Sequence, residues 1–170
     1  MAAMTCPTCK QEGQTHIGKH HYTESGLQNV WLKGVEIFVC NKCGENFAFI
    51  PCAQEIHKLL AEILLQKEDQ LSGREIRFLR KHMGMKSKDF AERLGVKNVT
   101  VSRWEHEETI PPTTIDRLIR YFYAAEMNLL KLAPKIKDIR FRKHKKDQEA
   151  PVINLPIGKA RGKEACVVNA

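Results

Sequence analysis

The sequence MKSKDFAERLGVKNVTVSRWEH, residues 85–106, predicts two short helices joined by a tight turn. The first helix is expected over about 87–94 and the second over about 98–106. Gly95 lies at the break between them, where the backbone must turn left-handed and glycine has no Cβ atom to clash. Apolar residues recur at helical spacing in both segments, so each helix has one face to bury. The predicted buried residues are Phe90, Ala91, Leu94, Val96, Val101 and Trp104.

The second helix has a polar outer face. Its outward residues are Asn98, Val99, Ser102, Arg103 and His106. Hydrogen-bond donors with one apolar group form the chemistry that reads base edges in the major groove of DNA. A helical hairpin that only packs is the alternative, but it does not explain so polar a helix after the glycine. The stretch resembles the helix-turn-helix of the lambda-repressor/Cro-like (XRE) family, of which the sequence SRWE at 102–105 is typical.

The resemblance implies a homodimer on a palindromic operator of double-stranded DNA, with two reading helices in successive major grooves roughly 34–36 Å apart. We expect Arg103 to contact a guanine edge or a phosphate. Asn98 and Ser102 supply further hydrogen bonds, and Val99 meets a thymine methyl group. The positive end of the first helix favours phosphate nearby. The residues assigned to phosphates are Ser87, Lys88 and Lys97.

Four of the six cysteines form two Cys-x-x-Cys pairs, Cys6/Cys9 and Cys40/Cys43. Two residues between the thiols let a short turn aim both sulfurs at one ion, and the loop between the pairs must fold back to bring them together. Four thiolates around one ion are the closed tetrahedral arrangement of structural zinc. A segment of about 50 residues buries little core, so the zinc ion is expected to supply folding energy rather than catalysis.

Three other interpretations of these cysteines remain open. Disulfides are disfavoured in a reducing cytoplasm, a redox Cys-x-x-Cys would need only one pair within a βαβ unit, and iron also accepts four sulfurs. His16, His20 and His21 are available as further ligands, but we interpret them as loop or strand residues because four thiolates already complete the set. No function is assigned to Cys52 or Cys166.

The segment between the cysteine pairs predicts a small β-sheet. β-Branched and aromatic residues indicate strands at 30–32 and 35–39, separated by a turn at Lys33-Gly34. A further strand is predicted at 15–22. Trp31 is interpreted as a core residue of this sheet, with a binding platform as the alternative.

Further helices are predicted on both sides of the two helices at 87–94 and 98–106. One runs over 52–67, and the next begins at Ser72, where Ser72 and Glu75 form a capping-box pattern. The basic residues expected to be exposed on this second helix are Arg74, Arg77, Arg80 and Lys81. A helix over 113–131 has an apolar stripe longer than one domain needs, which favours a homodimer. The stripe includes Ile115, Leu118, Ile119 and Phe122.

Composition limits the class of protein. The chain has no run of about 18 apolar residues and no signal-peptide pattern, so a cytoplasmic protein without membrane contact is expected. Basic residues outnumber acidic ones by 12 to 9 over 69–133 and by 10 to 4 over 134–170, which suits a polyanionic partner. Paired carboxylates, a glycine-rich phosphate loop and an activated nucleophile are all missing, so no enzyme is expected.

These patterns predict an α+β multidomain fold in four segments. A small zinc-binding β domain (1–50) is followed by a connecting helix and linker (51–70) and by an all-α, lambda-repressor-like (XRE) helix-turn-helix domain (71–133). The last segment (134–170) is a basic tail, expected to be a flexible arm. Residues 152–155 of this tail could add a strand to the sheet of a partner.

The whole arrangement resembles the YgiT/MqsA-type zinc-finger/helix-turn-helix antitoxin family over roughly residues 4–125. The resemblance rests on CPTC, CNKCG and GREIRFLRKHMGM, followed by SRWE. It implies a transcriptional repressor that binds near its own promoter, a structural metal domain and a toxin partner encoded alongside. A stand-alone regulator without a toxin is the alternative. The chain departs from the family at Lys86 and Ser87, where Thr-Gln is usual, so a weak N-cap is expected there.

Overall fold

A computed structural model describes residues 4–141 and 151–157 of the 170-residue chain. These residues form two compact units. The sheet unit comprises residues up to 56, apart from 25–27, together with 151–157, and the helical unit comprises 25–27 and 57–141. A sheet with a cysteine cluster thus precedes a helical region, which confirms the predicted α+β fold. None of the described helices has the length of uncharged apolar sequence that a membrane span requires.

The sheet unit has five strands, with the order β1-β2-β3-β4 and with β5 paired to β3. They are β1 Met4–Thr5, β2 Glu12–His21, β3 Val30–Cys40, β4 Asn46–Phe49 and β5 Ile153–Pro156. The central strand β3 runs antiparallel to β2 and β4 and parallel to β5. On one face β3 buries Val30, Leu32 and Val35. These residues form part of the core of the sheet unit.

The two strands predicted at 30–32 and 35–39 are a single strand. The predicted turn at Lys33-Gly34 is wrong, because β3 continues through both residues. Gly34 has a φ of +81°, and the register of β2 against β3 shifts between Gly18 and Lys19. Gly34 is therefore the extra residue of a β-bulge, a position that favours glycine because its backbone is left-handed.

The C-terminal segment contains regular structure where the sequence predicts a tail. Ala133–Asp138 form a short helix, and β5 pairs with residues 30–33 of β3 in the same chain. The side-chain amide of Asn29 also donates a 2.6 Å hydrogen bond to the carbonyl of Pro151. These described residues therefore form regular elements, and the rest of the predicted arm, 142–150 and 158–170, lies outside the described residues. A strand of four residues is too short to show a periodic pattern in the sequence. Its conformation is therefore determined by its pairing with β3.

The described residues contain six α-helices and two short 3₁₀ turns. The helices are α1 Ala53–Gln66, α2 Gly73–His82, α3 Ser87–Arg93, α4 Asn98–Glu105, α5 Thr113–Glu126 and α6 Ala133–Asp138, and the 3₁₀ turns are Thr23–Ser25 and Leu130–Leu132. The two helices predicted around Gly95 are confirmed. The helix predicted over 113–131 is shorter, because Asn128 adopts a φ of +55° just after α5. A left-handed residue at that place ends a helix.

The start of α2 has the predicted capping box. The backbone N–H of Glu75 donates to the hydroxyl of Ser72, and the N–H of Ser72 donates to the carboxylate of Glu75. Gly73 lies so close to the carbonyl oxygen of Trp104 that a Cβ atom would collide with it. The beginning of α2 therefore packs directly on the end of α4 and fixes that end of the helix.

Arg80 is buried, which corrects the prediction that it belongs to an exposed basic face. Its guanidinium donates to the two carboxylate oxygens of Glu105 at 2.6 and 2.8 Å and to the carbonyl of Met85 at 2.7 Å. Glu105 is the last residue of the SRWE sequence. Its role is thus to tie α4 to α2, while Trp104 beside it is buried in the core.

A fully buried ion pair links α5 to the end of α1. Nε of Arg120 donates to Oδ1 of Asp116 at 2.7 Å, and neither side chain is exposed. Oδ2 of Asp116 accepts the backbone N–H of Leu71 at 2.6 Å. The guanidinium also donates to the backbone carbonyls of Leu64, Leu65, Lys67 and Asp69. Arg120 therefore fixes the end of α1 and the following linker to the helical unit.

Candidate metal centre and nucleic-acid interface

The two Cys-x-x-Cys turns have the same backbone arrangement. The N–H of Lys10 donates to the carbonyl of Cys6, and the N–H of Gly44 donates to the carbonyl of Cys40. Both donating residues have a left-handed backbone conformation, with φ values of 61° at Lys10 and 73° at Gly44. The sequence indicates a turn at Gly44, but it gives no such signal at Lys10 because lysine seldom adopts this conformation.

The four sulfur atoms of the cluster surround a common centre. The Sγ atoms of Cys6 and Cys43 are 3.6 Å apart, those of Cys9 and Cys40 are 3.4 Å apart, and all four lie within 4.8 Å of one another. A tetrahedral site with metal–sulfur bonds of about 2.3 Å has sulfur–sulfur edges of about 3.8 Å. The predicted four cysteines are therefore close enough to bind one metal ion, and their spacing is consistent with structural zinc.

Hydrogen bonds from backbone amides lower the pKa of two of the four cysteines. The N–H of Cys9 is the main cause of a lowered pKa at Cys6, and the N–H of Cys43 is the main cause that lowers the pKa of Cys40 to about 6. The N–H of Glu45 also favours the thiolate of Cys43, but the neighbouring sulfurs outweigh it and raise the pKa of Cys43 to about 12. Four thiolates this close repel one another, so a bound cation is needed to hold all four ionised.

Two of the three histidines of β2 have other partners. Nε2 of His20 lies 3.1 Å from Oε1 of Glu24, and Nε2 of His21 donates to the carbonyl of Gln28 at 2.6 Å. Within residues 4–141 and 151–157, the four cysteines are the one group of His, Cys, Asp or Glu side chains that converges as a metal site. The described structure therefore gives no histidine a place in this cluster.

The turn between α3 and α4 has the geometry that Gly95 predicts. Gly95 has a φ of +68°, its N–H donates to the carbonyl of Glu92, and the N–H of Val96 donates to the carbonyl of Ala91. This pair of bonds is a Schellman motif, which ends α3 with a left-handed residue. Five of the six predicted core residues are buried, whereas Val96 is half-buried.

The residues predicted to contact DNA lie at the surface of α3 and α4. Lys88, Lys97, Asn98, Val99 and Arg103 are exposed, while the two serines are half-buried. Val99 keeps 52% of its surface exposed although it is apolar. The structure thus brings a continuous set of donors and one apolar group to the outer face of α4.

A side-chain bond joins the first residues of the two helices. Oγ of Ser87 donates to Oδ1 of Asn98 at 2.8 Å. The bond occupies the amide oxygen of Asn98 and leaves its NH₂ group as the donor. The weak N-cap expected at the start of α3 is confirmed, because Lys86 makes no side-chain capping bond, and Lys97 makes none for α4.

Two side chains in the last turn of α4 have partners within the protein. Nε of Arg103 lies 3.9 Å from Oε2 of Glu108, and both groups are exposed. Nδ1 of His106 donates to the carbonyl of Ser102 at 2.7 Å. A loose pair in water contributes little stability, so Arg103 can exchange Glu108 for another anionic or polar partner.

Comparison with known proteins identifies this region. A helix-turn-helix family model, HTH_3, matches residues 76–122, which run from α2 into α5 and include α3 and α4. No curated protein and no solved structure matches the chain. The match does not include the cysteine cluster. Residues 76–122 are therefore a helix-turn-helix domain of the XRE type, a DNA-binding domain of transcription regulators.

Proposed function

We propose that the chain is a sequence-specific transcription repressor that binds a palindromic operator as a homodimer and holds a structural zinc ion. The observation that supports this best is the outer face of α4. Asn98, Ser102 and Arg103 offer hydrogen bonds there beside the exposed Val99. The opposite face is anchored by Trp104 in the core, so α4 can enter a groove as a rigid unit.

The remaining predicted residues suit phosphates on either side of that groove. Lys88 and Lys97 are exposed near the starts of α3 and α4. Ser87 holds the amide of Asn98, and this fixes the direction in which the Asn98 NH₂ group donates. In this proposal the lysines position the domain on the backbone, whereas Asn98, Ser102 and Arg103 select the sequence.

Arg103→Ala is expected to weaken operator binding by about 1–3 kcal/mol and to relax the preference at one base position. The guanidinium can donate two hydrogen bonds to one guanine, which alanine cannot replace. The preferred duplex is first selected with the wild-type protein. Fluorescence anisotropy titrations of each single-base variant of that duplex then measure both effects.

Arg103→Lys is the matched control for the base contact. Lysine keeps the positive charge but lacks the planar pair of donors, so it is expected to retain phosphate binding and to lose base discrimination. Full affinity and unchanged sequence preference in the lysine variant would contradict base reading by Arg103 and make it a phosphate contact.

The surface of α5 supports the homodimer. Leu118 belongs to the predicted apolar stripe but is 43% exposed, and Ile115 and Phe122 on the same side of the helix are half-buried. Residues at this spacing form one seam along a helix. A second copy of α5 would cover this seam, as a two-fold operator requires.

Leu118→Glu is expected to convert the dimer into a monomer, because a charged group in the centre of an apolar seam opposes burial. Sedimentation equilibrium measures the change, and operator affinity should fall with it. Leu130→Glu is the control, since Leu130 is also an exposed leucine, at 57%, but lies outside α5. Equal dimerisation by wild type and Leu118→Glu would show that another surface makes the dimer.

We further propose that this repressor is the antitoxin of a toxin-antitoxin pair and represses its own operon. The presence of the cysteine cluster and the helix-turn-helix in one chain supports this role through the family resemblance. Affinity capture from the native host, with identification of bound proteins and DNA, tests it. A ribonuclease-like partner together with the chain's own promoter would support the antitoxin role, and promoter sites without such a partner would favour a stand-alone regulator.

A further inference from the structure

The outward face of the sheet carries four side chains that DNA binding by α4 does not use. In the register of β2 on β3, His21 lies opposite Trp31 and Lys19 lies opposite Lys33. Directly opposed residues share one face of a sheet, and these pairs alternate with Leu32, which is buried on the other face. Trp31, expected in the core, is therefore on the face opposite Leu32 and is half-buried.

The aromatic pair is an ordered platform. The rings of His21 and Trp31 stack with their centroids 4.7 Å apart and an angle of 13° between their planes. The hydrogen bond from His21 to the carbonyl of Gln28 fixes the orientation of the imidazole. Asn154 of β5 lies next to Trp31 in the same row and is exposed, so an amide group borders the platform.

The lysine pair is unfavourable by itself. Lys19 and Lys33 are exposed and directly opposed, and like charges at such positions destabilise an antiparallel pair. Neither lysine forms an ion pair with another described residue. An anion held between the two ammonium groups would relieve this repulsion. The row beyond the lysines pairs Ile17, 55% exposed, with Glu36, so the cationic surface is confined to one row.

We propose that the quartet of His21, Trp31, Lys19 and Lys33 binds single-stranded nucleic acid. A base stacks on the aromatic pair, and the adjacent phosphate lies between the lysines. Aromatic groups beside cations are the combination that single-strand binders use, because an unpaired base exposes its π-face whereas a duplex does not. The site lies in the sheet unit, so it does not rest on the proposed operator binding by α4.

Tryptophan fluorescence tests this site directly. The chain has two tryptophans, and Trp104 is only 4% exposed, so quenching by a ligand reports Trp31. Titration of the full chain with an oligouridylate of about twelve nucleotides is expected to quench this signal to saturation. Trp31→Ala is expected to lower the affinity roughly ten- to a hundredfold, measured with a labelled strand.

Lys19→Gln/Lys33→Gln tests the phosphate contact without removing the platform. It should weaken binding and reduce the salt slope of the binding constant by about 0.7, because one phosphate contact is lost. Lys10→Gln/Lys42→Gln changes two exposed lysines at the cysteine turns and serves as the matched control. Duplex operator binding should be the same in both double variants.

Three results would overturn the proposal. They are the absence of saturable quenching, an equal loss of single-strand affinity in the Lys10/Lys42 control, and a loss of single-strand binding in Arg103→Ala. The last result would place the single strand on the helix-turn-helix.

Discussion

Cys40→Ser is expected to unfold the sheet unit while residues 76–122 remain folded and able to bind DNA. The apolar cluster around the sulfurs is small, since Phe38 is its one fully buried aromatic residue, with Phe47 and Phe49 packed beside it. A structural zinc ion contributes apparent binding energy of about 10–16 kcal/mol, which becomes folding energy when the unfolded chain has no preformed site. Loss of one thiolate opens the closed four-sulfur site and removes much of this energy.

The expected result is measured by metal content per chain and by amide NMR signals assigned to each unit. Lys42→Ala is the matched control, because Lys42 is exposed between Cys40 and Cys43 and supplies only its backbone to the turn. The control should keep one metal ion and a folded sheet. Retained metal stoichiometry in Cys40→Ser, or a sheet that stays folded after chelation, would contradict a structural four-cysteine site.

Arg120→Met is expected to destabilise the helical unit by about 3–5 kcal/mol. The substitution leaves the fully buried Asp116 without its cation. It also removes the donor for four backbone carbonyls at the end of α1 and in the linker. Removing one member of a buried ion pair lowers the free energy of unfolding by more than the pair contributed to it, because a buried charge then lacks a partner. Chemical denaturation followed by the helical circular dichroism signal measures the loss.

Two further variants separate the ion pair from general packing. Asp116→Leu/Arg120→Met removes both charges and should recover part of the lost stability, since an apolar pair of similar volume can replace a buried ion pair. Arg140→Met changes an exposed arginine and should have little effect. If Arg120→Met behaved like the exposed control, Arg120 would not hold the end of α1 in solution.

The sequence predicts the helix-turn-helix well because its determinants are local. Helical spacing identifies the buried faces of α3 and α4, Gly95 identifies the turn, and Ser72 with Glu75 identifies the start of α2. The four cysteines are also predicted from their spacing, since two short turns suffice to aim two pairs of sulfurs. Each helix signal and each Cys-x-x-Cys pair depends on residues no more than a few positions apart in the chain, whereas Cys9 and Cys40 are 31 positions apart.

Long-range contacts produced the differences between prediction and structure. Arg80 has the spacing of an exposed basic residue, but its partner Glu105 is 25 positions away. The β-bulge at Gly34 has the local signature of a turn, and only pairing of β3 with β2 shows that the strand continues. The tail contains β5 because β4 covers only residues 36–39 of β3 and leaves residues 30–33 to pair with β5. The bond from Asn29 to Pro151 spans 122 positions.

Local spacing in the sequence was enough to predict the exposed residues of α3 and α4 and the four cysteines of the cluster. The packing of the elements was needed to show that Trp31 and His21 share one face with Lys19 and Lys33, and that Arg120 is a buried anchor rather than a surface charge. The physical reason is the same in each case. Local spacing fixes which way a side chain points relative to its own element, whereas burial and pairing depend on the elements that pack against it.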